Sequence, residues 1–142
     1  MNIIIAILVF GLIVLVHEFG HYIVAKKNGI MVEEFAIGMG PKIVGKQVGE
    51  TFYSIRALPL GGFCKMLGEE EESSDSRSFS SKSVGARMAV IAAGPFMNFF
   101  LAFLIIFVIS LFVGFSSTSI GYIEPGYPAE MAQLQEGDKI IK

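Results

Sequence analysis

The chain has 142 residues, 53% of them hydrophobic and only 17% charged, with a formal net charge of −2. That composition, with its strongly positive mean hydropathy, excludes an ordinary soluble enzyme and places the chain in the membrane class. The near-zero charge balance is uninformative about nucleic acid, and no nucleic-acid partner is expected.

The first predicted element is a membrane-spanning helix. The apolar stretch Ile3 to Ala25 would be roughly 34 Å long as a helix, against a hydrocarbon core of about 30 Å. A cleaved signal peptide would need a basic residue before the run and a small-x-small site after it, and the sequence has neither. Lys26 and Lys27 follow at once, and Arg87 sits just before a second apolar stretch. The positive-inside rule then puts the N-terminus outside, residues 26–87 in the cytoplasm and the tail outside again. The single cysteine, Cys64, falls on the reducing side without a partner, so no disulfide framework is expected.

Residues 31–66 read as short strands. Phe35 to Val44 contains the helix breakers Gly38, Gly40 and Pro41. Thr51 to Leu58 alternates, with Tyr53, Ile55 and Ala57 on one side and Ser54 and Arg56 on the other. Gly45 and Gly49 can supply a turn, which makes a β-hairpin the simplest reading; the Gly61-Gly62 pair follows it. The acidic, Ser-rich stretch Glu69 to Ser83 reads as a mobile linker. The second apolar stretch, about Met88 to Gly114, is interrupted only by Gly94-Pro95 and Asn98 and is again long enough to span. From Ile120 the composition turns soluble; Gly126 and Gly137 suit turns, and Ala129 to Leu134 suits a short helix. Lys139-Ile140-Ile141-Lys142 looks like the middle of a strand. The tail is too short for a domain of typical size, and the sequence is expected to be a fragment.

The chemistry concentrates in His17-Glu18-Phe19-Gly20-His21. On a helix, positions 17 and 21 are separated by about 40° of rotation and 6 Å of rise, so both imidazoles project from one face. Two imidazoles so placed can bind one zinc ion. Glu18 lies beside the metal without binding it, where a carboxylate can take a proton from the attacking water. A solvated surface turn does not fit, because these residues continue an apolar helix. Each ionisable side chain there costs at least about 2.5 kcal/mol and marks function. His17 would lie some 12 Å, and His21 some 6 Å, from the cytoplasmic end, so water must reach the site through a polar cavity. Zinc needs at least one further protein ligand. Asp75 and Asp138 are poorly placed and Glu69 to Glu72 reads as solvated linker, so the third ligand is expected on a later helix.

The motif at the end of the first span resembles that of the site-2 proteases, the zinc enzymes of regulated intramembrane proteolysis (peptidase family M50). Pro59 to Glu69 is similar to that family's loop after the re-entrant hairpin, and Ala93 to Phe99 to the opening of its second core helix. Gly126 to Glu130 with Glu136 to Ile140 resembles the start of its PDZ domain, with Gln133 where such domains often have glycine. The likeness covers nearly the whole chain, in order, and is closest to the bacterial branch that regulates sigma factors. It implies a membrane α-helical fold with two transmembrane helices, an intervening membrane-associated β-hairpin loop and the start of a PDZ domain. The expected divisions are residues 1–30 for the first helix with the motif, 31–68 for the re-entrant hairpin loop, and 69–87 for the linker. Residues 88–115 are the second helix and 116–142 the truncated PDZ start.

The resemblance further implies an intramembrane zinc metalloendopeptidase that cleaves single-span membrane proteins such as anti-sigma factors, in the lipid bilayer of a bacterial cytoplasmic membrane. It implies a missing aspartate ligand in an Asp-Gly motif downstream, so the chain as it stands is not expected to cleave anything. The site residues are then His17 and His21 for the metal, Glu18 for catalysis, and Gly61, Gly62 and Asn98 for substrate. Asn98 would lie level with His17, roughly 12–15 Å into the second span. The hairpin of residues 31–58, with Tyr53 to Leu58 and the flanking glycines, would offer an edge to an extended substrate. Two rivals remain. Another intramembrane zinc peptidase, such as the CAAX-prenyl-protease type, would share the motif but not the hairpin or tail. A non-catalytic membrane-anchored PDZ scaffold would have no reason to carry Glu18 in hydrocarbon.

Overall fold

The computed structural model describes residues 2–71, 73–114 and 118–139. Glu72 of the acidic run and the expected strand residues 140–142 lie outside the described residues. The elements in chain order are α1 (Asn2–Lys27), β1 (Val32–Val48), β2 (Thr51–Met66), α2 (Val84–Val113) and α3 (Pro128–Met131).

Helix α1 is apolar around its whole circumference and leaves Ile3, Leu8, Phe10 and Leu12 exposed. An all-round apolar helix that is not covered by protein suits lipid. Both α1 and α2 are long and apolar enough to cross a membrane. The chain stops α1 sharply. Gly29 has φ of 64°, its N–H donates to Lys26 O at 3.1 Å, and Ile30 N–H donates to Ala25 O at 2.9 Å. That is a Schellman ending, with the apolar contact between Ala25 and Ile30 that goes with it. Lys26 and Lys27 in the last turn complement the helix dipole.

Strands β1 and β2 are longer than expected and bent, so each pairs twice. Residues 32–37 lie between 62–66 on one side and 52–55 on the other, while 42–48 pair with 51–56. The spatial order is therefore 62–66, 32–37, 51–56, 42–48. The pair is antiparallel overall, but where 34–37 meet 52–55 both numbers rise together and the local contact is parallel. The turn falls at Gly49–Glu50, and Gly45 sits inside the ladder opposite Ser54. Of the two sides of Thr51 to Leu58, it is the one bearing Ser54 and Arg56 that turns inward. Ser54 is buried and Ile55 is half exposed, because Ser54 and Arg56 turn inward to share Glu34. Ser54 Oγ donates to Glu34 Oε1 at 2.6 Å, and Arg56 donates to it at 2.8 Å.

The sheet runs alongside α1. A Cβ at Gly11 would stand 2.7 Å from Pro59 O, and one at Gly61 would stand 2.8 Å from Val14 Cγ1. Those contacts lie roughly 20–24 Å along α1 from Lys27, deep within the apolar part of the helix. At the other end, Ala25, Ile30, Val32, Cys64, Met66 and Val90 form the core, with Tyr22, Phe35 and Phe79 packed against it. The acidic, Ser-rich segment expected to be mobile is docked here. Met31 N–H donates to Arg77 O at 3.0 Å, and Phe79 N–H to Leu67 O at 2.7 Å. Ser78 is fully buried. Glu50 at the hairpin turn accepts from both Lys26 (2.6 Å) and Arg77 (3.1 Å). A polar composition did not entail mobility, because Phe79 anchors the segment in the core and its backbone groups find partners.

Helix α2 begins at Val84, four residues earlier than expected, and runs through Pro95 without a break. In the second compact unit, residues 106–142, Ser119 bridges Lys139 in antiparallel fashion and Ile120 N–H donates to Asp138 O at 2.8 Å. Helix α3 is one short turn, with Pro128 in its first turn, where a missing N–H costs nothing. Just beyond it Gln133 has φ of 59°, the left-handed conformation that glycine adopts without a Cβ clash. Gln133→Gly should therefore stabilise this turn by about 1 kcal/mol. Slower amide exchange over residues 120–138 in the full-length protein would register the gain, and unchanged exchange would count against the strain.

Candidate metal centre

Helix α1 turns two faces to its neighbours. His17 and His21 face α2, with ring centroids 4.8 Å apart and planes at 73°. Their outer nitrogens converge on Gly94. A Cβ built there would lie 2.5 Å from Nε2 of His17 and 2.5 Å from Nε2 of His21. The two nitrogens are thus at most about 5 Å apart, against roughly 3–4 Å for two nitrogens on one zinc. Gly20, inside the motif, makes this approach possible, since a Cβ on it would meet Ala93 O at 2.5 Å. Close helix contact through small residues is the usual means of packing in a bilayer.

The inner nitrogens are held from α2. His21 Nδ1 lies 2.7 Å from Val90 O; only an N–H can bond a carbonyl, so Nδ1 carries the proton and Nε2 keeps its lone pair. His17 Nδ1 lies 3.2 Å from the Asn98 side-chain amide nitrogen, while Asn98 Oδ1 is buried without a partner among the described residues. Turning the amide by 180° lets Oδ1 accept from His17 Nδ1–H and moves the amide NH2 to the buried position that Oδ1 now holds. That arrangement gives His17 the same tautomer as His21. Both Nε2 lone pairs are then free and aimed at one cradle, as a metal-binding pair with outer-shell partners requires. The donor set therefore fits a metal such as zinc. Among the described residues no cluster of three His, Cys, Asp or Glu side chains surrounds the cradle.

The other face of α1 meets the sheet. Glu18 Oε2 accepts from Cys64 N–H at 3.1 Å. One turn on, Tyr22 shares a 2.6 Å hydrogen bond with Tyr53, and its ring packs 5.2 Å from Phe35. Burial, reinforced by Glu18, pushes the Cys64 thiol up to about 12, so it stays a neutral packing group.

The residues singled out in the sequence fall into two groups. His17, His21 and Asn98 meet around the cradle, with Glu18 beside them on the same helix. Gly61 and Gly62 are buried, packed on Val14 of α1 and on Ala36 of β1, and do not reach the cradle as side-chain partners. Tyr53 to Ile55, expected at an edge, are paired on both sides; among the described residues the outer strands of the sheet are 62–66 and 42–48. Gly20, Val90 and Gly94 position the pair and were not foreseen. For Gly94 the signal was a glycine before a proline in a spanning helix.

A helix long and apolar enough to cross a membrane that carries HExxH, closed by a second such helix against the outer nitrogens, defines the class of proteins with a helix-borne metallohydrolase motif. The chain belongs to peptidase family M50, whose model matches residues 5–139. It is 51% identical over its whole length to a Clostridium perfringens protein designated a candidate zinc metalloprotease, covering 42% of that protein. It is 48% identical to a counterpart in Clostridium acetobutylicum, over 99% of this chain and 42% of the relative. The zinc metalloprotease RasP of Bacillus licheniformis is 31% identical, over 99% of this chain and 54% of RasP. The chain thus spans about half or less of the length of these relatives.

Proposed function

We propose that this chain carries two zinc ligands and the general base of an intramembrane metalloendopeptidase. The observation behind the reading is the convergence of both histidine Nε2 atoms on Gly94 inside a pair of spanning helices. Zinc, when bound there, supplies Lewis acidity toward water and the scissile carbonyl. His17 and His21 hold the metal, with Val90 O and Asn98 fixing their tautomers, and Glu18 accepts the proton of the attacking water. A third ligand comes from residues beyond position 142, in an Asp-Gly motif on a later helix. Asn98 also orients the unwound substrate backbone, and Gly61 and Gly62 belong to the strand that receives it. The substrates are single-span membrane proteins, anti-sigma factors among them, in the bilayer of a bacterial cytoplasmic membrane. Residues 26–87 lie on the cytoplasmic side, and residues 116–142 begin an outward-facing PDZ domain that filters access. The turn at Gln133 and the positive φ of Gly126 and Gly137 accord with that start.

The direct test is metal content. Full-length protein should purify with one zinc per chain, and His17→Ala or His21→Ala should lose it while still inserting into membranes. Full zinc occupancy in either variant would overturn the ligand assignment.

A further inference from the structure

The hydrogen bond from Cys64 N–H to Glu18 has a second aspect. Among the described residues segment 62–66 pairs only with 32–37, and an amide of such a segment that leaves the ladder points to the outer edge. Cys64 N–H does so and is taken by Glu18 Oε2 at 3.1 Å. Two residues on, Met66 N–H is taken by Glu69 Oε2 at a longer 3.4 Å. Alternate amides along an edge are the set that an added strand bonds with its carbonyls. Here carboxylates of the chain itself occupy that set. At Gly61 the strand packs directly on Val14 of α1. At Cys64 a side chain bridges strand and helix, and it can swing away by a rotamer change.

We infer that the Cys64 amide is a substrate-operated switch on Glu18: an extended peptide adding along residues 62–66 takes the Cys64 and Met66 amides and releases the Glu18 carboxylate. The inference rests on the proposed role of Glu18 as general base. It also specifies the substrate by its backbone, as an unwound segment with two free carbonyls at alternate positions. An intact helix, whose carbonyls are bonded internally, cannot supply them. A carboxylate accepts a hydrogen bond more strongly than a neutral carbonyl. One carbonyl therefore does not displace Glu18, whereas a strand in register offers several contacts at once.

The test uses full-length, zinc-loaded protein in lipid nanodiscs and a series of peptides that share one scissile bond and differ in length. Peptides long enough to reach both amides should gain about tenfold or more in kcat. A simple binding subsite would lower KM and leave kcat alone. Cys64→Pro lacks the amide hydrogen and should flatten the dependence of kcat on length. A second readout does not involve turnover: the amide resonance of isotope-labelled Cys64, assigned by its loss in Cys64→Ala. It should shift in Glu18→Ala, and in the wild type on adding a long peptide with a reduced scissile bond, with or without zinc. A length dependence confined to KM, or a resonance indifferent to Glu18→Ala, overturns the switch. Should Cys64→Pro fail to insert, the wild-type peptide series and the resonance decide. Peptide hydrolysis surviving at the wild-type rate in Glu18→Gln would instead refute the role of Glu18 as base.

Discussion

Glu18→Gln in the full-length protein should leave zinc bound and lower proteolysis by roughly 10²–10⁴-fold, the usual contribution of a positioned general base. The amide of glutamine keeps an oxygen for the Cys64 N–H that Glu18 accepts, so the local packing survives. What it loses is the capacity to take a proton. His17 and His21 keep their own partners on α2, which is why metal content should not follow activity. Zinc analysis and cleavage of a model membrane substrate, run on the same preparation, separate the two effects. A variant that cleaves at near the wild-type rate would remove Glu18 from the chemistry. One that loses zinc along with activity would make it a ligand.

Gly94→Ala adds a single methyl group and should be nearly as damaging, by a different route. The new Cβ would stand 2.5 Å from both Nε2 atoms and 2.7 Å from His17 Cδ2, inside van der Waals contact of each. The rings cannot retreat while His21 remains bonded to Val90 O, and α2 cannot retreat without opening the Gly20–Ala93 contact. Zinc affinity should fall by more than the roughly 10–100-fold typical of losing an outer-shell partner. Gly85→Ala, also on α2 and with nothing within 4 Å of its added Cβ, makes the same change in helix propensity away from the rings. Near-normal zinc affinity in Gly94→Ala would mean that the helices can separate without loss of the centre.

The shared face of His17 and His21 was legible because a helix of fixed pitch turns their spacing into one. The two long apolar helices were legible because unbroken apolar runs of that length stand out in the sequence. Gly94 and Val90 were not, since their part depends on where α2 crosses α1, and nothing local to residues 84–113 encodes that crossing. The hairpin was half legible. Its breakers, Gly38, Gly40 and Pro41, exclude helix, but they do not disclose that β1 bends through them and pairs twice. That doubling put Tyr53 inside the sheet and left 62–66 as an edge. The docked segment after Glu69 escaped notice for a related reason. One aromatic residue, Phe79, anchors it in the core, and a composition-based reading averages over a single anchor.

The cradle joins residues far apart in the order of synthesis: His21 is held by Val90, 69 positions later, and His17 by Asn98, 81 positions later. At about 5–20 residues per second, roughly 4–16 seconds of synthesis separate the two imidazoles from their partners on α2. During that interval nothing on α2 fixes the tautomer of either ring. Under the proposed function, the contacts that orient both rings toward a metal arise only once α2 has packed against α1, and until then the first helix carries three polar side chains without them.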